Sequence, residues 1–529
     1  MRSTPPSSNS CTTSTADGEN MTEKVVVIGA GIGGLCTALL LAPSGREIVV
    51  LERDGPLASA DPDELFRSWR RNGVAHLRQS HAFLARLRTI MKTVHPALLD
   101  ELMANGVREL TFDMMLTPAQ QQRYRAAPED AELTIITSRR TTLEMTMRRY
   151  VETLPNVSLR CGFRVSRLVT HMAADGIIDV TGVEGEDNGT PVTLTADIVV
   201  DATGKGGNHI KQLMTEGANV HEEGETAGIL YYTRHYRLRP GQTEPDRHAN
   251  PPASGDLGYI KFGVFPGDNG NFSITVAVPE IESVLRQAIV DPDIFHAMTL
   301  NLPGLQPWTN TDRAEPTSKV VGMGDLVSRW RDIVVDGKPA ARGYFALGDT
   351  LVRTNPLYGR GCSFAAVSAQ CLGNVLDAHD DPVARAVAFH AAILAELQPY
   401  YLDQRRQDRS AIKRARHTLT PGYTPRWRAR MQQSLVDDGI RIALRSDTRL
   451  LREAMRGFHM LEHPDNWLRK PRNMAGVLYY WARGKRLNAA AYPPNPGPDR
   501  ETMMRALGLD YQADIVRTAA EGTEIAEAA

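Results

Sequence analysis

The sequence of 529 residues has little cysteine and no excess of charge of either sign. Because its net charge is only −1, and nucleic-acid-binding proteins usually carry a basic excess or stripe, no nucleic-acid partner is expected. Its five cysteines are scattered without a C-x-x-C pair, so neither a disulfide framework nor a metal site is indicated, and a reducing cytoplasm fits best. No apolar run reaches the roughly 18 residues that would cross a bilayer, so no integral membrane segment is predicted.

The first 20 residues also lack an apolar stretch like that of a signal peptide. Serine, threonine and proline dominate this segment and leave little side-chain surface to bury, so residues 1–20 are predicted to be a disordered tail. The remaining chain is well supplied with apolar residues, which make up 42% of the whole, beside 23% charged residues. This composition is typical of a globular protein with a sizeable core.

A glycine cluster between two apolar runs stands out in "VVVIGAGIGGLCTALLLAPSGREIVVLERD", residues 25–54. A buried strand, the pattern G-x-G-x-x-G, a helix, a second strand and a terminal acid follow in the order of a dinucleotide-binding unit. The glycines allow a tight turn and a close approach to a pyrophosphate at the helix N-terminus. The terminal acid would accept hydrogen bonds from an adenosine ribose. The residues predicted to contact the dinucleotide are Gly29, Gly31, Gly33, Gly34, Glu52 and Arg53. This motif alone does not separate FAD from NAD.

Two later segments narrow the choice of cofactor. "ADIVVDATGKGG", residues 196–207, is another buried strand that runs into a turn of small residues. "RGYFALGDTLVRTNPLYGRGCSFAAVSAQ", residues 342–370, contains a short strand ending at Asp349 and a proline-containing loop that leads into a new helix. Asp349 can accept hydrogen bonds from sugar-alcohol hydroxyls, and the helix start can stabilise negative charge on a ligand.

Together these segments resemble the flavoprotein monooxygenase superfamily related to para-hydroxybenzoate hydroxylase, and especially its epoxidase and geranylgeranyl-reductase-like branches. The resemblance implies FAD, with Glu52 at the adenosine ribose and Asp349 at the ribityl chain. "SRRTTLEMTMRRYV", residues 138–151, matches the R-x-x-L-E segment of that family, which makes Arg140 a pyrophosphate or ribityl partner, with Arg139 second. The residues expected around the isoalloxazine are Pro356, Gly359 and Gly361, and Arg360 between the two glycines is also expected to bind the cofactor.

"RNGVAHLRQSHAFLARL", residues 71–87, resembles a family stretch that reads G-V-P-Q-x-R-H-x-H. Arg78 and His81 match this pattern, whereas His76 and Gln79 stand where it has glutamine and its first histidine. Arg78 is therefore expected to contact a phosphate or the flavin. No catalytic group is identified; His81 and Tyr358 are candidates, although a histidine at such a place more often has a structural role.

The fold class expected is α/β. A three-layer Rossmann-like FAD-binding domain would be assembled from residues 21–85, 133–220 and 320–400. A β-sheet substrate domain would comprise 86–132 and 221–319, where "GYIKFGVF" and "NFSITVAV" predict two strands joined by a turn at 266–270. Residues 401–529 would form a helical C-terminal region. Within it "GVLYYWARGKRL", residues 476–487, is interpreted as a core helix that ends exposed rather than as a membrane-surface segment.

The function expected is that of an FAD-dependent monooxygenase, which epoxidises or hydroxylates an apolar, polyketide- or isoprenoid-like small molecule with molecular oxygen through a flavin C4a-hydroperoxide. The sequence has no second G-x-G-x-x-G of comparable quality, so NADH or NADPH would reduce the flavin either directly or through a partner flavin reductase. Two alternatives stay open: an FAD-dependent double-bond reductase or dehydrogenase of the geranylgeranyl-reductase type, and a flavin-free binding protein on the same fold.

Overall fold

The computed structural model describes residues 22–74, 76–246 and 251–515. The predicted tail at 1–20 lies outside these residues. Between residues 22 and 220 the strands are β1 Lys24–Ile28, β2 Glu47–Glu52, β3 Ala82–Phe83, β4 Arg108–Leu110, β5 Ile135–Thr137, β6 Val157–Cys161, β7 Phe163–Met172, β8 Ile178–Asp187, β9 Thr190–Thr195 and β10 Ile198–Asp201. The helices are α1 Ile32–Leu41, α2 Pro62–Ser68, α3 Ala85–Val94, α4 Pro96–Ala104, α5 Pro118–Gln121, α6 Arg140–Val151 and α7 His209–Thr215.

From residue 221 onward, strands come first and helices dominate later. The strands are β11 His221–Thr226, β12 Ile229–Leu238, β13 Ser254–Asp256, β14 Lys261–Pro266, β15 Asn271–Pro279, β16 Ala314–Pro316, β17 Val321–Met323, β18 Val327–Asp332, β19 Val334–Val335, β20 Lys338–Pro339, β21 Ala341–Arg342, β22 Tyr344–Ala346 and β23 Val352–Arg353. The helices are α8 Ser283–Ala288, α9 Pro292–Leu300, α10 Gln306–Thr309, α11 Gly361–Ala378, α12 Pro382–Thr418, α13 Trp427–Ser434, α14 Arg441–Ser446, α15 Thr448–Phe458, α16 Asn466–Arg469, α17 Pro471–Leu487 and α18 Arg500–Ala506.

A parallel sheet of five strands, in the order β22-β10-β1-β2-β6, forms the centre of the first domain. Its strands come from widely separated parts of the chain. The apolar run in β1 is fully buried, as expected for a central parallel strand. Helices α1, α6 and α11 pack together and share one hydrophobic core with this sheet and with the antiparallel strands β7 and β8. The α/β, three-layer expectation is confirmed.

A second, antiparallel sheet runs β13-β14-β15-β12-β16, with β17 also beside β12. Strands β14 and β15 pair through the turn at 266–270, as predicted for "GYIKFGVF" and "NFSITVAV". Helices α8, α9 and α10 cover this sheet and form a separate core with it, to which Met503 and Met504 of α18 also contribute. The C-terminal helix therefore returns to stabilise the second sheet.

Helices α3 and α4 follow the first motifs but do not join the second core. Their apolar side chains Leu87, Ile90, Leu98 and Leu102 pack into the core of the parallel sheet. The predicted domain boundary at residue 86 therefore does not coincide with a change of core, and the division into domains stays a prediction.

The predicted helical C-terminal region is present, but it begins before residue 401. Helix α12 starts at Pro382, because Asp381 caps the backbone N–H of Ala384 and proline is favoured in the first turn. Its first half packs into the main core through Phe389, Ile393 and others. Across the described ranges, no helix combines the length with the apolar character needed to cross a bilayer.

Candidate cofactor site

Three turns that are distant in sequence meet at the carboxyl ends of three strands. The first turn follows Ile28 of β1, the second follows Asp201 of β10, and the third follows Ala346 of β22 and leads to α11. These strands are parallel neighbours, so the turns that follow them lie at one edge of the sheet, where α/β proteins bind ligands. A Cβ added to Gly33 would lie 3.6 Å from the Cβ of Ala202 and 3.9 Å from that of Ala365. The backbone N–H of Gly204 donates a 2.8 Å hydrogen bond to the hydroxyl of Thr350. The three predicted motifs are thus in direct contact.

The first turn has the geometry that its glycines predict. Gly29 has a positive φ of 98°, and its N–H donates to the carbonyl of Leu51. A Cβ on Gly34 would lie 1.8 Å from the carbonyl oxygen of Gly29, so only glycine lets α1 pack against this turn. A Cβ on Gly31, by contrast, would meet no atom within 4 Å. Since no side chain of the described residues caps the N-terminus of α1, its backbone N–H groups can bind a phosphate.

Asp349 lies between the second and third turns. Its Oδ1 would lie 3.9 Å from a Cβ on Gly361, and its own Cβ 4.0 Å from a Cβ on Gly204. Burial raises the pKa of the Asp349 carboxyl, although the positive charges of Arg353, Arg140 and Arg329 oppose the rise. Within the part of the chain that is described, no group donates a hydrogen bond to this carboxylate. An inward acceptor without a protein donor suits the hydroxyls of a polyol chain.

The third turn places the start of α11 beside Asp349. Helix α11 begins at Gly361 without a side-chain cap. Gly359 has a φ of 65°, and a Cβ there would lie 3.1 Å from the carbonyl oxygen of Ala82. Pro356 opens a short 3₁₀ turn and is exposed. The loop therefore passes next to β3, which follows directly after His81.

Arg360 anchors this loop to α12. Its guanidinium donates to the carbonyl of Tyr400 at 2.9 Å and pairs with Asp403 at 3.1 Å. It also lies 5.3 Å from the centre of the Tyr358 ring. The predicted contact of Arg360 with the cofactor stays a prediction, since its hydrogen-bond and ion-pair partners among the described residues belong to α12.

Glu52 lies at the end of β2 within a buried ion network that the sequence did not predict. Its Oε2 accepts hydrogen bonds from the N–H of Ala30 at 3.0 Å and from Arg71 at 2.8 Å. Arg71 also pairs with Asp54 at 3.0 Å and with Glu144. These bonds hold the Glu52 carboxylate beside the first turn, and its expected contact with an adenosine ribose stays a prediction. Arg53, its neighbour, is exposed.

Arg140 connects this network to the interior histidines. Its Nε donates to Glu144 at 3.1 Å, and its Nη1 contacts His76. Despite burial, Arg71 and Arg140 hold the pKa of Glu144 below its ordinary value. The R-x-x-L-E pattern contained both Arg140 and Glu144, so this pair could have been predicted; Arg71 carried no such signal. Arg139, the second choice, instead pairs with Asp268 and Asp63.

Both interior histidines are neutral. Burial and the charge of Arg140 lower the pKa of His81 to about 3 and that of His76 well below its ordinary value. The Nδ1 of His81 lies 2.9 Å from the carbonyl oxygen of Gln79, to which it can donate as a neutral ring, leaving Nε2 as an acceptor. His81 can therefore orient a ligand, but it is not a cation at neutral pH.

Arg78 lies at the C-terminal end of α2. Its guanidinium donates to the carbonyls of Phe66 and Trp69, each at 3.0 Å, and stacks over the Phe66 ring. These bonds satisfy carbonyls that the helix end would leave open. Its expected contact with a phosphate or the flavin stays a prediction.

A buried polar network links the second sheet, the third turn and α12. The hydroxyl of Tyr231 donates to Asn355 Oδ1, and Asn355 Nδ2 donates to Asp408 at 2.8 Å. Gln404 donates to the Asn355 carbonyl. Burial raises the pKa of Asp408 to about 6, and no described residue forms a hydrogen bond with its Oδ2. Burial and Asp408 also raise the pKa of Tyr358, which therefore keeps its proton.

Comparison with known proteins gives one family. A model described as FAD dependent oxidoreductase matches residues 24–372. Protein Rv3254 of Mycobacterium tuberculosis is 26% identical over 379 residues, which cover 68% of this chain and 74% of the relative. A flavoprotein/dehydrogenase from Cytophaga hutchinsonii has a similar structure, with a TM-score of 0.57 and 14% identity over 87% of this chain and 100% of its own. The anhydrotetracycline hydroxylase OxyS from Streptomyces rimosus has a TM-score of 0.52 and 17% identity, over 83% and 76% respectively.

The matched range contains all three turns, and their geometry fits FAD. The uncapped start of α1 with open space at Gly31 suits a pyrophosphate, and the Asp349 carboxylate without a protein donor suits a ribityl chain. Because the family model covers well over half of the sequence, the chain belongs to the FAD-dependent oxidoreductase family.

Proposed function

We propose that this FAD-dependent oxidoreductase is a monooxygenase that epoxidises or hydroxylates an apolar small molecule, of polyketide or isoprenoid character. The observation that carries the proposal is an apolar cluster between the third turn and the second sheet. There Leu357 packs against Ile229, Tyr231 and Leu326. These side chains are buried against one another, so the protein beside the flavin loop is apolar, and such surroundings suit a lipophilic substrate better than a charged one. The hydroxylase activity in the name of OxyS, which shares the fold, supports the same reaction class.

Four groups of this chain would hold FAD along the edge of the sheet. The N-terminus of α1 would bind the pyrophosphate, Glu52 the adenosine ribose, Asp349 the ribityl hydroxyls and the N-terminus of α11 the pyrimidine edge of the flavin. Bound there, FAD supplies hydride acceptance and, after reduction, reactivity with oxygen. NADH or NADPH would be the reductant, either directly or through a flavin reductase. A reducing, cytoplasmic setting is part of the same proposal.

The side chains near the third turn would position the substrate rather than remove a proton from it. Burial lowers the pKa of His76 and His81, so their neutral rings are weak bases, and burial raises the pKa of Tyr358, which therefore keeps its proton and can donate a hydrogen bond. Addition of oxygen to an electron-rich alkene needs no protein base, whereas hydroxylation of a phenol benefits from one. The ionisation states therefore favour epoxidation over phenol hydroxylation.

Incorporation of labelled oxygen tests this proposal. The purified protein with FAD, NADH or NADPH and candidate polyenes or polyketides would be incubated under ¹⁸O₂, and the products analysed by mass spectrometry. One labelled oxygen atom per product molecule is expected. A product formed at the same rate without oxygen, or without label, would contradict the proposal and favour a reductase.

A double-bond reductase or dehydrogenase is the second candidate. This candidate is supported by the flavoprotein/dehydrogenase of Cytophaga hutchinsonii, which has a similar fold over its whole length. The same incubation under nitrogen separates the two candidates, because the reductase alone would turn over without oxygen.

A further inference from the structure

The helices α13 to α17 carry an unusual concentration of exposed apolar side chains. Fifteen large apolar side chains are exposed in the described residues, and eight of them lie between residues 423 and 487. They are Tyr423, Trp427, Met431, Val436, Phe458, Leu478, Tyr479 and Leu487. Large apolar groups gathered on one part of a surface usually mark an interaction site.

Residues 476–487 were predicted to form a core helix that ends exposed; the end is exposed, but the placement of the helix in the core is wrong. In α17 only Asn473 and Val477 are buried, whereas Leu478, Tyr479 and Leu487 are 44%, 57% and 63% exposed. The helix packs on the segment 435–440 and on α14 through a narrow stripe, which leaves its apolar outer side uncovered.

Helix α13 is exposed along almost its whole length. Every residue from 421 to 433 is exposed. Trp427 and Met431 are one helical turn apart and therefore share a face. Helix α13 is joined to α17 where Trp481 Nε1 donates to the hydroxyl of Ser434 at 3.1 Å. Two neighbouring helices thus present apolar and aromatic side chains to the outside.

The same region is strongly basic. Residues 411–487 contain 17 arginines and lysines but only six aspartates and glutamates, although the whole chain has a net charge of −1. Within the described ranges, several of the arginines on α13 and α17 or next to them make no ion pair. They are Arg426, Arg428, Arg430, Arg472 and Arg486. Positive charge is therefore available beside the exposed apolar side chains.

We propose that α13 and α17 dock the protein onto an anionic membrane surface. Trp427, Met431, Leu478 and Tyr479 would enter the headgroup region, and the adjacent arginines would contact lipid phosphates. Tryptophan and tyrosine favour the membrane interface, and long basic side chains can reach phosphates while their stems stay in apolar surroundings. Exposed aromatic side chains beside unpaired arginines are typical of helices that lie on a bilayer rather than cross it. A negatively charged surface also complements the charge of this region.

Vesicle sedimentation tests this docking with the full-length, FAD-loaded protein. Vesicles of phosphatidylcholine alone would be compared with vesicles that also contain phosphatidylglycerol. Binding to the anionic vesicles is expected to be at least about tenfold tighter, because each arginine near the surface gains from the negative potential. It should weaken strongly when the salt concentration is raised from about 0.1 M to about 1 M.

Two variants divide the charged from the apolar contribution. R426Q/R428Q/R430Q is expected to weaken binding to anionic vesicles by about tenfold or more, and W427A/M431A to weaken binding to a comparable degree. All five side chains are exposed, so neither variant should change the fold or the bound flavin. Arg167→Gln with Met172→Ala, two exposed residues of β7, is the matched control and should bind like the wild type.

Three results would overturn the docking proposal. These are absence of binding by folded, yellow protein, equal loss in the β7 control, and equal binding to neutral and anionic vesicles. A concentration-dependent dimer in sedimentation velocity that W427A/M431A abolishes, without vesicle binding, would assign the surface to a second copy instead. None of these measurements involves turnover, so failure here leaves the proposed monooxygenase reaction untouched.

Discussion

Gly34 packs against Gly29 so closely that a Cβ on Gly34 would lie 1.8 Å from the Gly29 carbonyl oxygen. At Gly31, which belongs to the same motif, a Cβ would meet nothing within 4 Å. One glycine is thus required by the protein itself, and the other leaves space that a cofactor would use.

Substitution of these two glycines should separate folding from cofactor binding. Gly34→Ala is expected to destabilise the FAD-free protein by about 3 kcal/mol or to prevent folding, because backbone must move to admit the methyl group. Gly31→Ala, at an ordinary φ of −80°, should leave the thermal midpoint of FAD-free protein unchanged and weaken FAD binding. Thermal unfolding and fluorescence titration with FAD measure the two effects. Equal destabilisation by both substitutions would contradict this assignment.

Asp408 should make stability depend on pH. Burial raises the pKa of its carboxyl to about 6, above the value of about 4 in an unfolded chain. The folded state therefore binds the proton more tightly, so this contribution to stability is complete below about pH 4 and is lost as the pH rises through 6.

Asp408→Asn should remove that dependence and still accept the hydrogen bond from Asn355. As the pH rises from 4 to 7, the free energy of unfolding of the variant is expected to increase relative to that of the wild type by up to about 3 kcal/mol. Urea unfolding of both proteins at the two pH values measures the difference. If the free energies of unfolding of the two proteins changed with pH by the same amount, the pKa of Asp408 would not be raised, and the prediction would be contradicted.

His81 should remain neutral throughout the physiological range. Because burial lowers its pKa to about 3, its ring signals in an NMR titration should not shift between about pH 5 and pH 8, where a free histidine titrates. His81→Asn should accordingly leave the shape of the pH profile of kcat/KM unchanged. A titration with a midpoint near 6.5 in the folded protein would contradict the predicted environment.

The loop anchored by Arg360 should need the planar guanidinium. Arg360→Lys keeps the charge but cannot bind the Tyr400 carbonyl and Asp403 together, so a loss of about 1.5–3 kcal/mol in the free energy of unfolding is expected. Arg406→Lys, at an exposed position of α12, is the control and should change stability by less than about 0.5 kcal/mol. Equal effects would mean that the loop is held by other contacts.

Features carried by contiguous residues could be predicted from the sequence. The strand, glycines and helix from β1 to α1 follow one another, and the turn between β14 and β15 was predicted from five adjacent residues. The meeting of the three turns could also be predicted, because parallel strands have their carboxyl ends at the same edge of the sheet. For these elements, local chemistry and a single topological rule were sufficient.

Contacts between distant segments could not be predicted in the same way. Arg71 and Glu144 are 73 positions apart, and Tyr231, Asn355 and Asp408 come from three separate parts of the chain. Their pairing depends on the packing of α6, β12 and α12, which no local pattern specifies. The exposure of α17 was missed for a related reason: its apolar residues indicate burial unless the position of neighbouring helices is known.

The affinity of the Asp349→Ala variant for FAD tests the central claim most directly, namely that the three turns form one flavin site. Titration of FAD-free protein, followed by absorbance and flavin fluorescence, should show binding weakened by about tenfold or more. The reason is that the ribityl hydroxyls would lose the carboxylate to which they donate charge-assisted hydrogen bonds. Glu501→Ala, at an exposed acid of α18 that pairs with Arg505, should bind FAD like the wild type, and neither change should lower the thermal midpoint of the FAD-free protein by more than a few degrees. Wild-type affinity in the Asp349→Ala variant would contradict the claim.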